Sequence, residues 1–280
     1  MPAVEPFPRL RLGERSVDIR TRVVVMGILN RTPDSFYDRG ATWDFDAFVR
    51  RAEQLVVDGA DLLDVGGVKA GPGPDVDENE ELDRVVPAVE ALQARFDVPL
   101  SIDTWRASVL DAACTAGAVV GNDISGFGDP DYLRVAAKHD VTVVATHIRL
   151  RPRVPDPDPH YDDLVADVTD FLCERARRAE AVGLRPEQIV FDAGLDLGKT
   201  PAQSAVLLRE SAQHAVLGYP LLLSASNKRF IGALLVREID DRRPESLAAV
   251  AYGAVHGCRI VRVHDVRGTA RVCRAIEAML

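Results

Sequence analysis

Asp103, Asn122, Asp192 and Lys228 each stand at or just beyond the end of a separate apolar run. Together they form a receptor for a flat heterocycle with donors and acceptors along its edge. A carboxylate accepts two hydrogen bonds from an amino-pyrimidinone edge, an amide pairs one donor with one acceptor, and an ammonium reaches a carbonyl oxygen. That is guanine-like or pterin-like recognition. Charge-assisted bonds contribute about 1.5 to 3 kcal/mol each, so two or three of them orient a small ligand. A second set is Asn30, Arg262 and His264. A spacing of two on one strand points Arg262 and His264 to the same side, where their donors meet a shared anion, and Asn30 adds a neutral oxygen for a metal ion. A diphosphate with Mg2+ suits this set. Each residue alone also has a structural explanation: Asp103 or Asp123 as a helix cap, Asn30 in a turn, His147 in the core, Lys228 as a solvated lysine at a helix start. Their convergence on one mouth is what carries the chemical reading. "GLDLGKT" lacks the spacing of a phosphate loop, which argues against a nucleoside triphosphatase.

The elements that must position these residues alternate regularly. Strand-length apolar runs cover Val23 to Leu29, Asp61 to Val65, Pro99 to Ile102, Val119 to Ile124, Val141 to Thr146, Ile189 to Asp192, Pro220 to Ala225 and Arg259 to His264. Helical periodicity follows near Asp46 to Val57, Glu78 to Arg95, Ala107 to Ala116, Pro130 to His139, Tyr161 to Ala181, Pro201 to His214, Pro244 to His256 and Val266 to Met279. Continuous apolar strands separated by helices imply a parallel sheet covered by helices, and eight such units imply a (β/α)8 TIM barrel. A doubly wound open sheet is the competing architecture. It would gather its ligand at one switch point, whereas here nearly every strand ends in a polar or glycine-bearing motif, as a barrel mouth requires. "LRLGERSVDI" predicts a hairpin around 9–19 that closes the barrel bottom. "RLRPRVPDPDPH" is too rich in proline for a helix and predicts a stiff exposed loop.

The chain of 280 residues, 47% hydrophobic and 28% charged, suits one barrel domain spanning 1–280. A net charge of −9 argues against a nucleic-acid partner, which would require a basic surplus. Cys114, Cys173, Cys258 and Cys273 are scattered without metal-ligand spacing and are expected as reduced core thiols. No stretch has the length and apolarity of a signal peptide or membrane span, so a cytoplasmic protein without a membrane partner is expected.

In order along the chain stand "MGILNRTPDSF", "LLDVGG", "LSIDT", "NDISG", "THI", "IVFDAGLDLGKT", "SASNKRFIG" and "RVHDV". This series resembles the dihydropteroate synthase family of folate biosynthesis, from Val23 to the C-terminus. The resemblance implies a pterin-binding TIM barrel that forms a homodimer. It also implies a transferase reaction in which a hydroxymethyl-dihydropterin pyrophosphate ionises and p-aminobenzoate captures the cation in a C–N bond. Matched motif by motif, Asp103, Asn122, Asp192 and Lys228 correspond to the pterin-binding residues. Asn30, Arg262 and His264 correspond to the pyrophosphate and Mg2+ residues, and Asn30, Lys228, Arg262 and His264 to the catalytic ones.

The departures are concentrated in the loops. Where the family reads approximately "GGESTRPG", this chain reads "GGVKAGPG", with Val68, Lys69, Ala70 and Gly71 in place of four polar residues. The loss of threonine and arginine removes a hydroxyl and a guanidinium that the resemblance places at the p-aminobenzoate and pyrophosphate subsites. "DPGxGFGK" becomes "DAGLDLGK", which puts Asp196 where a glycine stood and Leu197 where an aromatic stood, and Asp196 is expected to bring negative charge against a bound anion. "SRKS" becomes Ser226, Asn227, Lys228 and Arg229, and the first loop gains Arg31, Tyr37 and Arg39. The expectation is a divergent, inactive paralogue: a pterin-type pocket with weak or absent synthase activity, not the main folate-pathway enzyme. One alternative is an active synthase that uses Lys69 and Arg229 instead. Ser226 and Arg229 would then meet p-aminobenzoate or a sulfonamide-like analogue. The other alternative is a methyltetrahydrofolate-binding methyltransferase.

Overall fold

The computed structural model describes residues 9–32, 44–71 and 73–279. Tyr37 and Arg39 lie outside the described residues. Eight parallel strands close into a barrel: β3 (Val24–Asn30), β4 (Leu62–Gly66), β5 (Leu100–Asp103), β6 (Val120–Asp123), β7 (Thr142–Thr146), β8 (Ile189–Asp192), β9 (Leu221–Leu223) and β10 (Ile260–Val263), with β10 pairing back onto β3. The open-sheet alternative is thereby excluded. Before the barrel, β1 (Arg9–Leu12) and β2 (Arg15–Asp18) form an antiparallel hairpin. Its Leu10 and Leu12, with Ile19, pack on the first residues of the barrel strands, including Val24, Leu62, Val120 and Ile260, and so cover the end opposite the mouth.

The helices form an outer layer: α1 (Phe45–Val57), α2 (Glu78–Gln93), α3 (Ala107–Thr115), α4 (Tyr132–His139), α5 (Leu164–Ala181), α6 (Pro201–Arg209), α7 (Ser211–Ala215), α8 (Arg229–Leu235), α9 (Arg243–Val255) and α10 (Val266–Glu277). Their starts are written in the sequence. Asp44 accepts from Ala47 N–H, Asp77 from Glu80 N–H, and Thr200 with Gln203 makes a reciprocal capping box ahead of Pro201. A second apolar core lies between the outward faces of the strands and these helices.

Two helical details depart from the sequence reading. The single helix expected over Pro201 to His214 is divided in two, because the Ser211 hydroxyl donates to Leu208 O at 2.7 Å and competes with the helix ladder. Helix α8 was not expected, since seven residues with an internal glycine carry little periodic signal. All four cysteines are free thiols. Among the described residues, no helix is long and apolar enough to cross a membrane.

Candidate functional site

The centre of the barrel mouth is Asp64, a fully buried residue in the middle of the apolar strand β4. Register explains its neighbours: Asp64 stands beside Ser101 across β4 and β5, and Asp103 beside Asn122 across β5 and β6, so these side chains share the barrel interior. Asp64 accepts from Ser101 Oγ at 2.6 Å, Asn122 Nδ2 at 3.1 Å and Arg262 Nε at 2.6 Å. Arg262 also donates through Nη2 to Asp103 Oδ2 at 2.7 Å. Two carboxylates thus hold one guanidinium. The fork matches this arrangement as a lysine would not, and Asp64 with Asp103 raises the Arg262 pKa although burial works against its charge. Burial pushes the Asp103 carboxyl up to about 7, with Arg262 opposing and Asp64 adding to the rise.

The other half of the mouth comes from β8 and from the loop that follows β9. Asp192 accepts from Gly194 N–H at 2.8 Å, and burial moves its pKa upward. Gly194 has φ +67, and any side chain there would come within 1.9 Å of His147 O, so this turn requires glycine. Lys228 precedes α8 and donates to Leu195 O at 2.9 Å; it is not the solvated lysine of the structural alternative. Burial lowers its pKa, opposed first by Asp196 and then by Asp192. The Asp196 carboxylate accepts from the backbone N–H groups of Arg229 and Phe230. Its charge is therefore directed at the first turn of α8.

Within the expected anion set, Arg262 is engaged by Asp64 and Asp103, and His264 Nδ1 lies 2.9 Å from Ser226 Oγ. Ser226 Oγ also accepts from the His264 backbone N–H at 3.2 Å, so its own proton is directed to Nδ1. Burial and the Arg262 charge push the His264 pKa down to about 3, so the ring is neutral. Asn30 ends β3, and a side chain at Gly66 would come 3.5 Å from Asn30 Oδ1 and 3.7 Å from Asp103 Oδ2. Glycine keeps open a gap walled by these two oxygens. Behind His264, a cavity of about 230 Å³ is lined by Val263 of β10 and Val250 of α9 together with Arg51 and Arg243. Arg51 donates to His264 O and Arg243 to Asp265, so both guanidiniums are engaged within the fold.

The loop after β4 is held on either side of its altered residues. Val68 is buried, Lys69 half-buried and Ala70 exposed, followed by Gly71. Arg84 donates to Gly67 O at 2.8 Å, Arg106 to Val76 O at 2.7 Å and Arg153 to Pro74 O at 2.5 Å. Asn227 adopts φ +56, a left-handed conformation that asparagine tolerates, and its side chain lies against Ser246. Arg229 is exposed at the rim. Asp123 is not the helix cap weighed for it: it accepts from Ser125 and Phe127 N–H in the loop after β6, while α4 starts after Asp131. His147 is a buried histidine 2.8 Å from Lys199 Nζ. Two residues escaped the sequence reading. Asp64 was signalled by a carboxylate inside an apolar strand, where no helix cap is possible; Lys199, buried against His147 and Leu197 O, had no such signal.

Three comparisons bear on this geometry. The Pterin binding enzyme family matches residues 26–264. The chain is 38% identical to the dihydropteroate synthase of Synechocystis, covering 97% of this chain and 95% of the relative. It is 41% identical to the inactive dihydropteroate synthase 2 of Mycobacterium tuberculosis, covering 92% and 83% respectively. Among solved structures, the Yersinia pestis dihydropteroate synthase in a sulfonamide drug complex superposes with a TM-score of 0.92 at 38% identity, over 97% of this chain and 98% of that one.

Proposed function

We propose that this chain, which belongs to the dihydropteroate synthase family of pterin-binding enzymes, binds a pterin in its barrel mouth and has weak or absent synthase activity. The cluster around Asp64 carries the binding half of this reading. Arg262 holds Asp103, and Asp64 orients the Asn122 amide, so the acceptors and donors a pterin edge needs are in place before it arrives. Asp103 accepts from the amino-pyrimidinone edge, Asn122 pairs a ring nitrogen, and Asp192 with Lys228 closes the opposite side. Arg262 serves mainly as a strut between carboxylates, which leaves the departing pyrophosphate with less free positive charge.

The loop after β4 carries the other half. Val68 to Gly71 offer neither the hydroxyl nor the guanidinium that the family pattern places there, and Lys69 supplies charge without a fork. Losing two such groups slows turnover by about 100-fold to 10,000-fold. Asn30 would supply one oxygen to Mg2+ at the gap above Gly66, with the remaining ligands from diphosphate and water; the ion would neutralise charge on the leaving group. A homodimer is part of the same proposal, and it would have exposed Leu234, Leu235 and Val236 available for cover.

Calorimetric binding of dihydropterin pyrophosphate, followed by pyrophosphate release with p-aminobenzoate and Mg2+, tests both halves beside the Synechocystis relative. Binding that Asp192→Ala abolishes, with turnover at least about 100-fold below the relative, is the expected result. Turnover equal to the relative's would instead identify an active synthase.

A further inference from the structure

Asp196 occupies a position to which the family pattern assigns glycine, and it keeps a backbone that glycine favours, with φ +66. Aspartate tolerates that conformation at some cost. What the residue adds is a carboxylate that accepts from Arg229 N–H at 2.5 Å and from Phe230 N–H at 3.2 Å. The residue immediately before Arg229 is Lys228. Its Nζ returns to Leu195 O at 2.9 Å, the carbonyl of the peptide that leads into Asp196. Covalent and hydrogen bonds therefore close a ring through Leu195, Asp196, Arg229 and Lys228. A tie from Asp196 N–H to Ser204 Oγ at 3.1 Å fixes the ring to α6.

We propose that Asp196 is a positioning residue that directs the Lys228 ammonium into the pterin pocket. Lysine has a long flexible stem, and the ring removes that freedom at both ends: the backbone start of α8 and the ammonium itself. Asp196 is also foremost among the groups that oppose the effect of burial on the Lys228 charge, so the same carboxylate acts on both direction and protonation. The substitution that looks like damage in the sequence is then a compensation elsewhere in the same mouth. This inference rests on the pterin-pocket reading.

The test is a double-mutant cycle in 6-hydroxymethylpterin binding. Asp196→Gly is expected to weaken binding by about 10-fold, whereas Asp196→Asn, which keeps an acceptor over the two N–H groups, stays within about threefold. In a Lys228→Met background, Asp196→Gly causes no further loss. No loss in the native background, or an equal loss in both, overturns the proposal. If the native protein binds no pterin, the pocket reading fails by itself, and the ring is tested without ligand. The 15N signal of Lys228 Nζ is then titrated, and Asp196→Gly is expected to move its midpoint to lower pH. An unchanged midpoint overturns the positioning role.

Discussion

Asp103 carries a clear pH signature of the site. Burial pushes its carboxyl up from the ordinary 3.8 to about 7 in the fold. Between those values the folded state holds a proton that the unfolded chain has released, so this group's contribution to stability falls as pH rises from about 4 to about 7. A pterin edge reverses the preference, since its N–H donors pair with the ionised form. Pterin affinity is therefore expected to rise from pH 5.5 to pH 7.5, and Asp103→Asn to flatten that rise, as measured by fluorescence titration at fixed ionic strength. A flat native profile would show that Asp103 does not face the ligand. Asp64 has a different task. With Ser101, Asn122 and Arg262 all donating to it, it organises its neighbours.

The loop after β4 separates two questions that its sequence merges. Its side chains are changed, yet its backbone is tied down at Gly67, Pro74 and Val76 by Arg84, Arg153 and Arg106. Restored polar side chains would enter a loop held at both ends, so the double substitution Ala70→Thr with Gly71→Arg is expected to raise pyrophosphate release by about 10-fold or more. Pterin affinity should stay within about twofold, because the Asp64 cluster lies on the strands. A rise in affinity without faster release would place the defect elsewhere, at Asn227 and Arg229. Helix α8 makes the complementary point at this scale. A glycine-containing helix of seven residues nonetheless sets Lys228, because Asp196 from another loop accepts from its first turn.

Across the whole molecule, the mouth depends on a barrel whose far end is closed by the hairpin β1 and β2. Leu10 is buried there against the strand starts, and Thr142 Oγ1 donates to Arg11 O at 2.5 Å. Leu10→Ala is expected to cost about 2 to 5 kcal/mol in urea unfolding while leaving pterin affinity of the folded protein unchanged, since its contacts lie opposite the mouth. Much of this architecture was decided by the sequence alone. Eight apolar strand runs alternating with helical periods specify a closed parallel barrel, because strands buried on both faces need helices all round, and polar strand ends then specify a mouth. The capping aspartates and threonine mark helix starts within one or two residues. The partners that side chains choose inside the mouth were decided only in three dimensions. A spacing of two places Arg262 and His264 on one side, but that Asp64 and Asp103 from two other strands hold the guanidinium by Coulomb attraction, and that Ser226 meets the imidazole, is settled only in the fold. Asp196 shows the same limit. Local pattern sees a charge where glycine stood, while the tertiary structure aims that charge at two backbone N–H groups more than thirty residues along the chain.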